Sequence, residues 1–263
     1  LQKKLFKEYV WQRQTTKQLA DTHERSEKWI REQLDRCKVK GFCLHAQPIV
    51  GIADVTFWSR TYGVLVIRSA DLKQNLCWLE TKAETAAIYR EGKEALEYLG
   101  FTFDAVVLDG RRGIREVFDG IPVQYCQFHQ VKTINTYLTR RPKLQAAKEL
   151  RAIALYLTEA TEERFTALLN EWFEKWKDFL KERTDDLNTG RWFYTHKRIR
   201  SAYRSLRINL PYLFTYQKYP HLKIPNTTNS LDGSFGQLKR LLNVHSGLKQ
   251  ERRWKLIQEI LRK

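Results

Sequence analysis

The sequence predicts an α/β protein: a mixed sheet that carries helices, opened by a small helical unit and interrupted by an all-helical insertion. Three observations predict it. Residues 1 to 40 are polar, basic and helical in period. From about residue 41 the period changes to that of strands, in the order three strands, helix, strand, short helix, strand. Between about residue 130 and residue 222 the strands stop and helical periods take over. At 263 residues the chain buries a sizeable core without disulfide staples, as one large domain with an appendage or as two medium domains.

Each element has its own signature. Leu5, Tyr9 and Val10 mark one helical face, Leu19 and Ala20 another, and Ser26 caps a third helix that carries Trp29, Ile30 and Leu34. The stretch "TTKQLADTHERSEKWIREQLDRC" reads as a helix, a turn around His23 to Arg25, and a second helix whose outer face shows Glu27, Lys28 and Arg31. That is the pattern of a helix-turn-helix, in which Lys28 and Arg31 would meet DNA as the second helix enters the major groove. An ordinary helical hairpin with a solvated charged face gives the same pattern. The runs "PIVGIADVTFW" (48 to 58), "YGVLVIRSA" (62 to 70) and "NLCWLE" (75 to 80) are β-rich and joined by short links, as in an antiparallel meander. Residues 82 to 99 form a helix with Ala87, Ile88, Ala95, Leu96 and Leu99 in its apolar stripe, ended by Gly100. The strand "FDAVVLD", a short helix from Ile114 to Phe118 and the strand "PVQYCQ" follow. After the insertion, "PNTTNSLDG" acts as loop and cap, and the chain closes on the helices "SFGQLKRLL" and "ERRWKLIQEILRK". The expected domains are 1–40, a core of 41–130 with 223–263, and the insertion 131–222.

Charge narrows the partners. Against 30 acidic residues stand 47 Lys and Arg, a formal net charge of +17. Such a chain repels itself unless a polyanion or counterions offset the charge, and nucleic acid is the first expectation. No stretch approaches about 18 uninterrupted apolar residues and no secretory pattern opens the chain, so the protein is expected to be soluble and intracellular, with no membrane partner. Cys37, Cys43, Cys77 and Cys126 form no Cys-x-x-Cys pair and are too few for a disulfide framework, so reduced thiols are expected. Met is absent throughout. The chain is therefore expected to be a fragment, or a sequence from which modified Met residues have dropped out, in which case some spacings are slightly short.

The chemistry centres on carboxylates. Asp54 sits within the first strand, where a buried carboxylate is costly unless compensated. Asp109 ends the run "AVVLDGRRG", at the carboxyl end of a strand, where open α/β sheets place their chemistry. If the two strands pair, Asp54 and Asp109 approach, and a later acid, Asp232, is available as a third ligand. Two magnesium or manganese ions about 4 Å apart stabilise the attacking and leaving oxygens of an in-line phosphoryl displacement, and hard oxygen donors suit those ions. Blander readings stand beside each residue: Asp109 as a turn or helix cap, and Asp232 as the N-cap before Ser234 to Leu242.

With these motifs the chain resembles the DDE transposases with a ribonuclease H-like core, in particular the insertion-sequence and Mutator-like branch. The resemblance rests on "GIADVTFW" around Asp54, "VVLDGRRGI" around Asp109, "CQFHQ" with Cys126 and His129, and "NTTNSLDGSFGQLKRLLNVHSGL" around Asp232, and covers roughly residues 48 to 260. It implies a ribonuclease H-like fold split by the insertion, with Asp54, Asp109 and Asp232 catalytic and holding two Mg2+ or Mn2+ ions. The family usually has Glu at the third position; this chain has Asp232, one methylene shorter. The implied reaction is cleavage at transposon ends, followed by attack of the freed 3′ hydroxyl on target DNA. The implied partners are double-stranded DNA and a second copy in a homodimer, in the nucleoid-associated cytoplasm of a prokaryote. Two alternatives keep the same surface: a domesticated DNA-binding regulator and a structure-specific nuclease on the same core.

Further residues admit two readings each. Cys126 and His129 have the spacing of half a structural zinc site with no second half, and the resemblance makes them a family motif near the active site instead. Asn226, Thr227, Thr228 and Asn229 suit a phosphate or hold the loop; the family motif includes Asn229. Lys239 and His245 flank the last helices, reaching DNA or lying on a solvated face. Arg198, Arg200, Arg204 and Arg207, interleaved with Tyr203, Tyr212 and Phe214, suit backbone contact and base stacking, or a basic helix that packs its aromatics inward.

Overall fold

The computed structural model describes residues 1–39, 41, 45–186 and 188–262; Cys43 lies outside them. The elements run α1 (Gln2–Trp11), α2 (Thr16–Thr22), α3 (Glu27–Arg36), β1 (Pro48–Ser59), β2 (Tyr62–Ser69), β3 (Gln74–Thr81), α4 (Ala86–Tyr98), β4 (Thr102–Leu108), a 3-10 turn (Arg115–Phe118), β5 (Val123–Tyr125), α5 (Gln127–Leu138), α6 (Gln145–Leu155), α7 (Glu162–Trp176), β6 (Arg183–Asp186), β7 (Arg191–Tyr194), α8 (Lys197–Leu213), α9 (Thr215–Lys218), α10 (Asn229–Leu242) and α11 (Gln250–Leu261). A five-stranded sheet has the order β3-β2-β1-β4-β5. It is mixed, because β2 and β3 pair antiparallel while β4 and β5 pair parallel. The α/β class read from the sequence is therefore the class observed.

The chain divides into two compact units, Leu1–Gln47 with Asp54–Thr102 and Asn229–Lys263, and Pro48–Ala53 with Phe103–Thr228, so that β1 contributes to both. In the first unit, the opening helices start where their caps direct. Thr15 and Gln18 form a reciprocal capping box, and the Ser26 hydroxyl accepts the Trp29 N–H at 3.2 Å. Leu5, Tyr9, Leu19, Ile30 and Leu34 are buried, which gives the short helices the apolar packing that isolated ones of this length lack. The C-terminal half of α3 is tied to α11: the Arg252 guanidinium, 5% exposed, donates to both Asp35 oxygens at 2.7 Å. The Asn75 side-chain amide on β3 donates to the Leu261 carbonyl at 2.8 Å.

The stripe of α4 differs from the expected one. Ile88, Tyr89, Gly92 and Leu96 are its buried residues, whereas Ala87 and Leu99 are exposed. Gly92 is the reason. A Cβ at that position would sit 2.8 Å from Ile67 Cδ1 and 3.1 Å from Leu65, so glycine lets the helix settle against β2 along the 88–92–96 line. The helix also begins later than expected, at Ala86.

In the second unit, β4 and β5 align with Leu108 opposite Tyr125, and the Cys126 N–H continues the ladder to the Leu108 carbonyl at 2.7 Å. Pro211 lies inside α8 near its end. The Gln124 and Gln127 side-chain amides both donate to the Leu213 carbonyl at 2.9 Å, satisfying a helix-terminal acceptor. The insertion is not all-helical, which corrects the sequence expectation: β6 and β7 form an antiparallel hairpin within it. The Asp186 carboxylate accepts from Asn188 N–H and Thr189 Oγ1, and Gly190 takes φ +63°, so local turn chemistry closes the hairpin. Strand-favouring Trp192, Phe193 and Tyr194 supply its second strand.

Candidate functional site

The first unit gathers carboxylates by itself. Asp54 in β1 is 8% exposed, and its Oδ1 accepts the Val55 N–H at 2.7 Å. Asp232 lies in the first turn of α10, three residues after its start at Asn229, which corrects its reading as an N-cap of a helix beginning at Ser234. The helix starts earlier because Asn229 can serve there and Leu231, Phe235, Leu238 and Leu242 form one buried stripe from that point. An Asp54 carboxylate oxygen comes within 4.8 Å of one on Asp232, and one also comes within 4.8 Å of Glu84. Asp232 Oδ2 is cut off from solvent and has no hydrogen-bond partner among the described residues.

Glu84 is the residue the sequence reading missed. It sits in the polar link "TKAET" between β3 and α4 and accepts from the Tyr89 hydroxyl at 2.9 Å. An acid just ahead of a helix is ordinary in sequence, so only its nearness to Asp54 marks it. Two like charges about 5 Å apart repel by roughly 3 kcal/mol at an effective dielectric of about 20. A cation, a shared proton or water must offset that repulsion. An orphaned buried oxygen beside a second carboxylate fits a hard divalent cation such as magnesium or manganese.

The second unit holds Asp109, Cys126 and His129. Asp109 is half-buried where β4 ends, and its Oδ1 accepts the Arg111 N–H at 2.8 Å, so the residue does form the turn that Asp-Gly suggests. Gly110 takes φ +87° with the Tyr125 ring about 3.3 Å from where a Cβ would lie. The register of β4 and β5 sets Asp109 beside Cys126, the N-cap of α5. Cys126 is buried, and its Sγ accepts from the Thr228 N–H at 3.3 Å and the Thr228 hydroxyl at 3.4 Å; that same hydroxyl lies 3.4 Å from His129 Nδ1. Burial pushes the thiol up, but hydrogen bonds from His129 and Thr228 outweigh it and hold the thiol below its ordinary value. Asn226 meets Gln127 twice, backbone to backbone and side chain to side chain, each at 2.9 Å. Asn226 and Thr228 therefore hold the loop, one of the two roles read for them, and Asn229 opens α10.

The candidate DNA contacts separate by exposure. Lys28 and Arg31 are exposed on α3, with Arg31 paired to Glu27 at 3.0 Å. Lys239 is half-buried in the last turn of α10. His245 is not on a solvated face: it is 8% exposed, stacked on Tyr9 at 3.9 Å, and neither ring nitrogen has a hydrogen-bond partner among the described residues. Arg198 and Arg200 donate to the carbonyls of Thr136 and Leu180 at 2.7 and 2.6 Å, and Arg207 to Asn170 at 3.1 Å. Arg204 is exposed and forms no ion pair among the described residues. Phe214 is fully buried and Tyr212 packs against Tyr125 and under Arg115, while Tyr203 and Tyr212 both stay half-exposed.

The chain matches no protein-family model, and no curated protein is significantly similar to it. Functional inference thus rests on the residues: a carboxylate pair that suits a divalent cation in one unit, a Cys-Thr-His network beside Asp109 in the other, and an excess of surface cations.

Proposed function

We propose that the chain is a DNA transposase that cleaves at transposon ends and joins them to target DNA, with Asp54, Asp109 and Asp232 as its metal-holding carboxylates. The observation that carries this reading is the Asp54–Asp232 pair with its orphaned Oδ2. It is supported by the strand order, in which β4, which ends at Leu108 just before Asp109, is the neighbour of β1. When bound, two divalent ions supply charge stabilisation for an in-line displacement at phosphorus. The chain's own part is to hold those ions through carboxylate oxygens and to seat the phosphate backbone on Lys and Arg. Hydrolysis adds water across the end phosphodiester and frees a 3′ hydroxyl; attack by that hydroxyl on a target phosphodiester forms one bond and breaks one, so no external energy source is needed. A homodimer that pairs two ends belongs to the same proposal.

The test is a plasmid nicking and strand-transfer assay with magnesium or manganese, alongside calorimetric titration of manganese. Asp54→Ala, Asp109→Ala and Asp232→Ala should each abolish scission while leaving DNA binding largely intact. Glu84→Gln should weaken manganese binding by about tenfold or more, the range seen when groups that support metal ligands are removed. Substantial metal-dependent scission by any of the three alanine variants removes that residue from the site. Scission without strand transfer would favour a nuclease.

A further inference from the structure

Beyond the carboxylates, the second unit contains a cavity of about 590 Å3 between α7, α8 and the β6–β7 hairpin. That volume lies in the range of roughly 300 to 1,000 Å3 typical of sites for small organic groups. Aromatic rings form its walls. Tyr203 stacks on Phe173 at 4.9 Å and 11° and on Trp172 at 5.5 Å, which fixes the plane of its ring. Tyr194 lies under the Arg200 guanidinium at 3.6 Å, and Arg200 is itself anchored on the Leu180 carbonyl. Around these rings stand Lys197, Arg204 and Arg207, and no carboxylate lines the cavity among the described residues.

An apolar slot between fixed rings, rimmed by cations alone, fits a flat aromatic group flanked by anions. A duplex does not present one, because its base faces are covered by their neighbours. A single strand does: each base offers a π face, each flank a phosphate, and stacking contributes about 1–3 kcal/mol per base. We infer that this cavity binds an unpaired nucleotide of a DNA strand, with the base against Tyr203 and Tyr194 and the adjoining phosphates on Lys197, Arg204 and Arg207. The inference rests on the proposed function only in choosing DNA over RNA.

The test uses the full chain and fluorescence anisotropy, without metal, so that scission plays no part in the readout. The probes are a labelled oligothymidine, a strand of the same length with abasic sites at its centre, and an oligouridine. The oligothymidine should bind at least about fivefold more tightly than the abasic strand, the lower end of the stacking range. Arg204→Ala should weaken both DNA strands by similar factors. Tyr203→Leu, which keeps apolar packing on Phe173, should lower affinity for the thymidine strand alone; should its melting temperature fall, Tyr194→Leu provides the same comparison. Equal binding of thymidine and abasic strands, or undiminished discrimination in a stably folded tyrosine variant, overturns the site. Tighter binding of oligouridine overturns the choice of DNA. Loss of plasmid scission in the separate assay would overturn the transposase reading and leave base discrimination standing.

Discussion

His245 shows how a single side chain couples burial to pH. Burial pushes its imidazole down to about 4, with a smaller opposing pull from the Tyr9 backbone. The unfolded chain takes up a proton near pH 6.5, whereas the folded chain resists it until about pH 4. Stability from this group is therefore present above pH 6.5, declines as pH falls through that window, and levels off once the folded form also protonates. The difference corresponds to about 3 kcal/mol. His245→Phe, which keeps a ring against Tyr9, should flatten the fall in urea-unfolding free energy between pH 7 and pH 4 by about that amount. An unchanged pH slope in a well-folded variant would show that His245 is hydrated in solution. Sequence alone gave this residue a surface role, since a His in "NVHSGL" between two helices reads as a polar junction; only the packing of α1 across that junction buries it.

At the scale of elements, α8 divides its arginines between packing and reach. Arg200 is fixed by a carbonyl and a ring, whereas Arg204 is exposed and unpaired among the described residues. Arg200→Ala should cost about 1.5–3 kcal/mol, the range for a hydrogen bond from a charged group. Arg204→Ala should stay within about 0.5 kcal/mol, as for surface substitutions. Chemical denaturation separates them, and equal losses would mean that α8 does not distinguish the two sides. The same split explains what the sequence made legible. The meander is readable because β-branched and aromatic runs alternate with short polar links, and α3 because Ser26 is a strong cap. The β6–β7 hairpin is not, since "RTDD" carries no apolar alternation and "RWFY" continues a basic aromatic stretch. The start of α10 is ambiguous because "PNTTNSLDG" holds several residues able to cap it. Asp54 stands out as a carboxylate inside an apolar strand, and Asp109 and Asp232 through their place at a strand end and a helix start; Glu84 does not, because nothing local distinguishes it from a solvated acid.

For the whole molecule the governing quantity is its charge of +17, which favours any polyanion before sequence or shape is read. No helix among the described residues is long and apolar enough to cross a membrane, so a spanning role for a described helix does not compete for that charge. Binding to unrelated duplex DNA should accordingly weaken linearly on a plot of log K against log salt, by about 0.9 per phosphate contacted. The contribution of α3 can be isolated within that slope. Lys28 and Arg31 are both exposed, so reversing both charges should flatten it by nearly two if each meets a phosphate. Arg31 must first give up its exposed Glu27 partner, a loss of roughly 0.2–1 kcal/mol that lowers affinity without changing the slope. Measured at several salt concentrations, a flattening near two with intact melting temperature places α3 against DNA. An unchanged slope returns α1 to α3 to an ordinary helical packing unit whose charges serve only solvation.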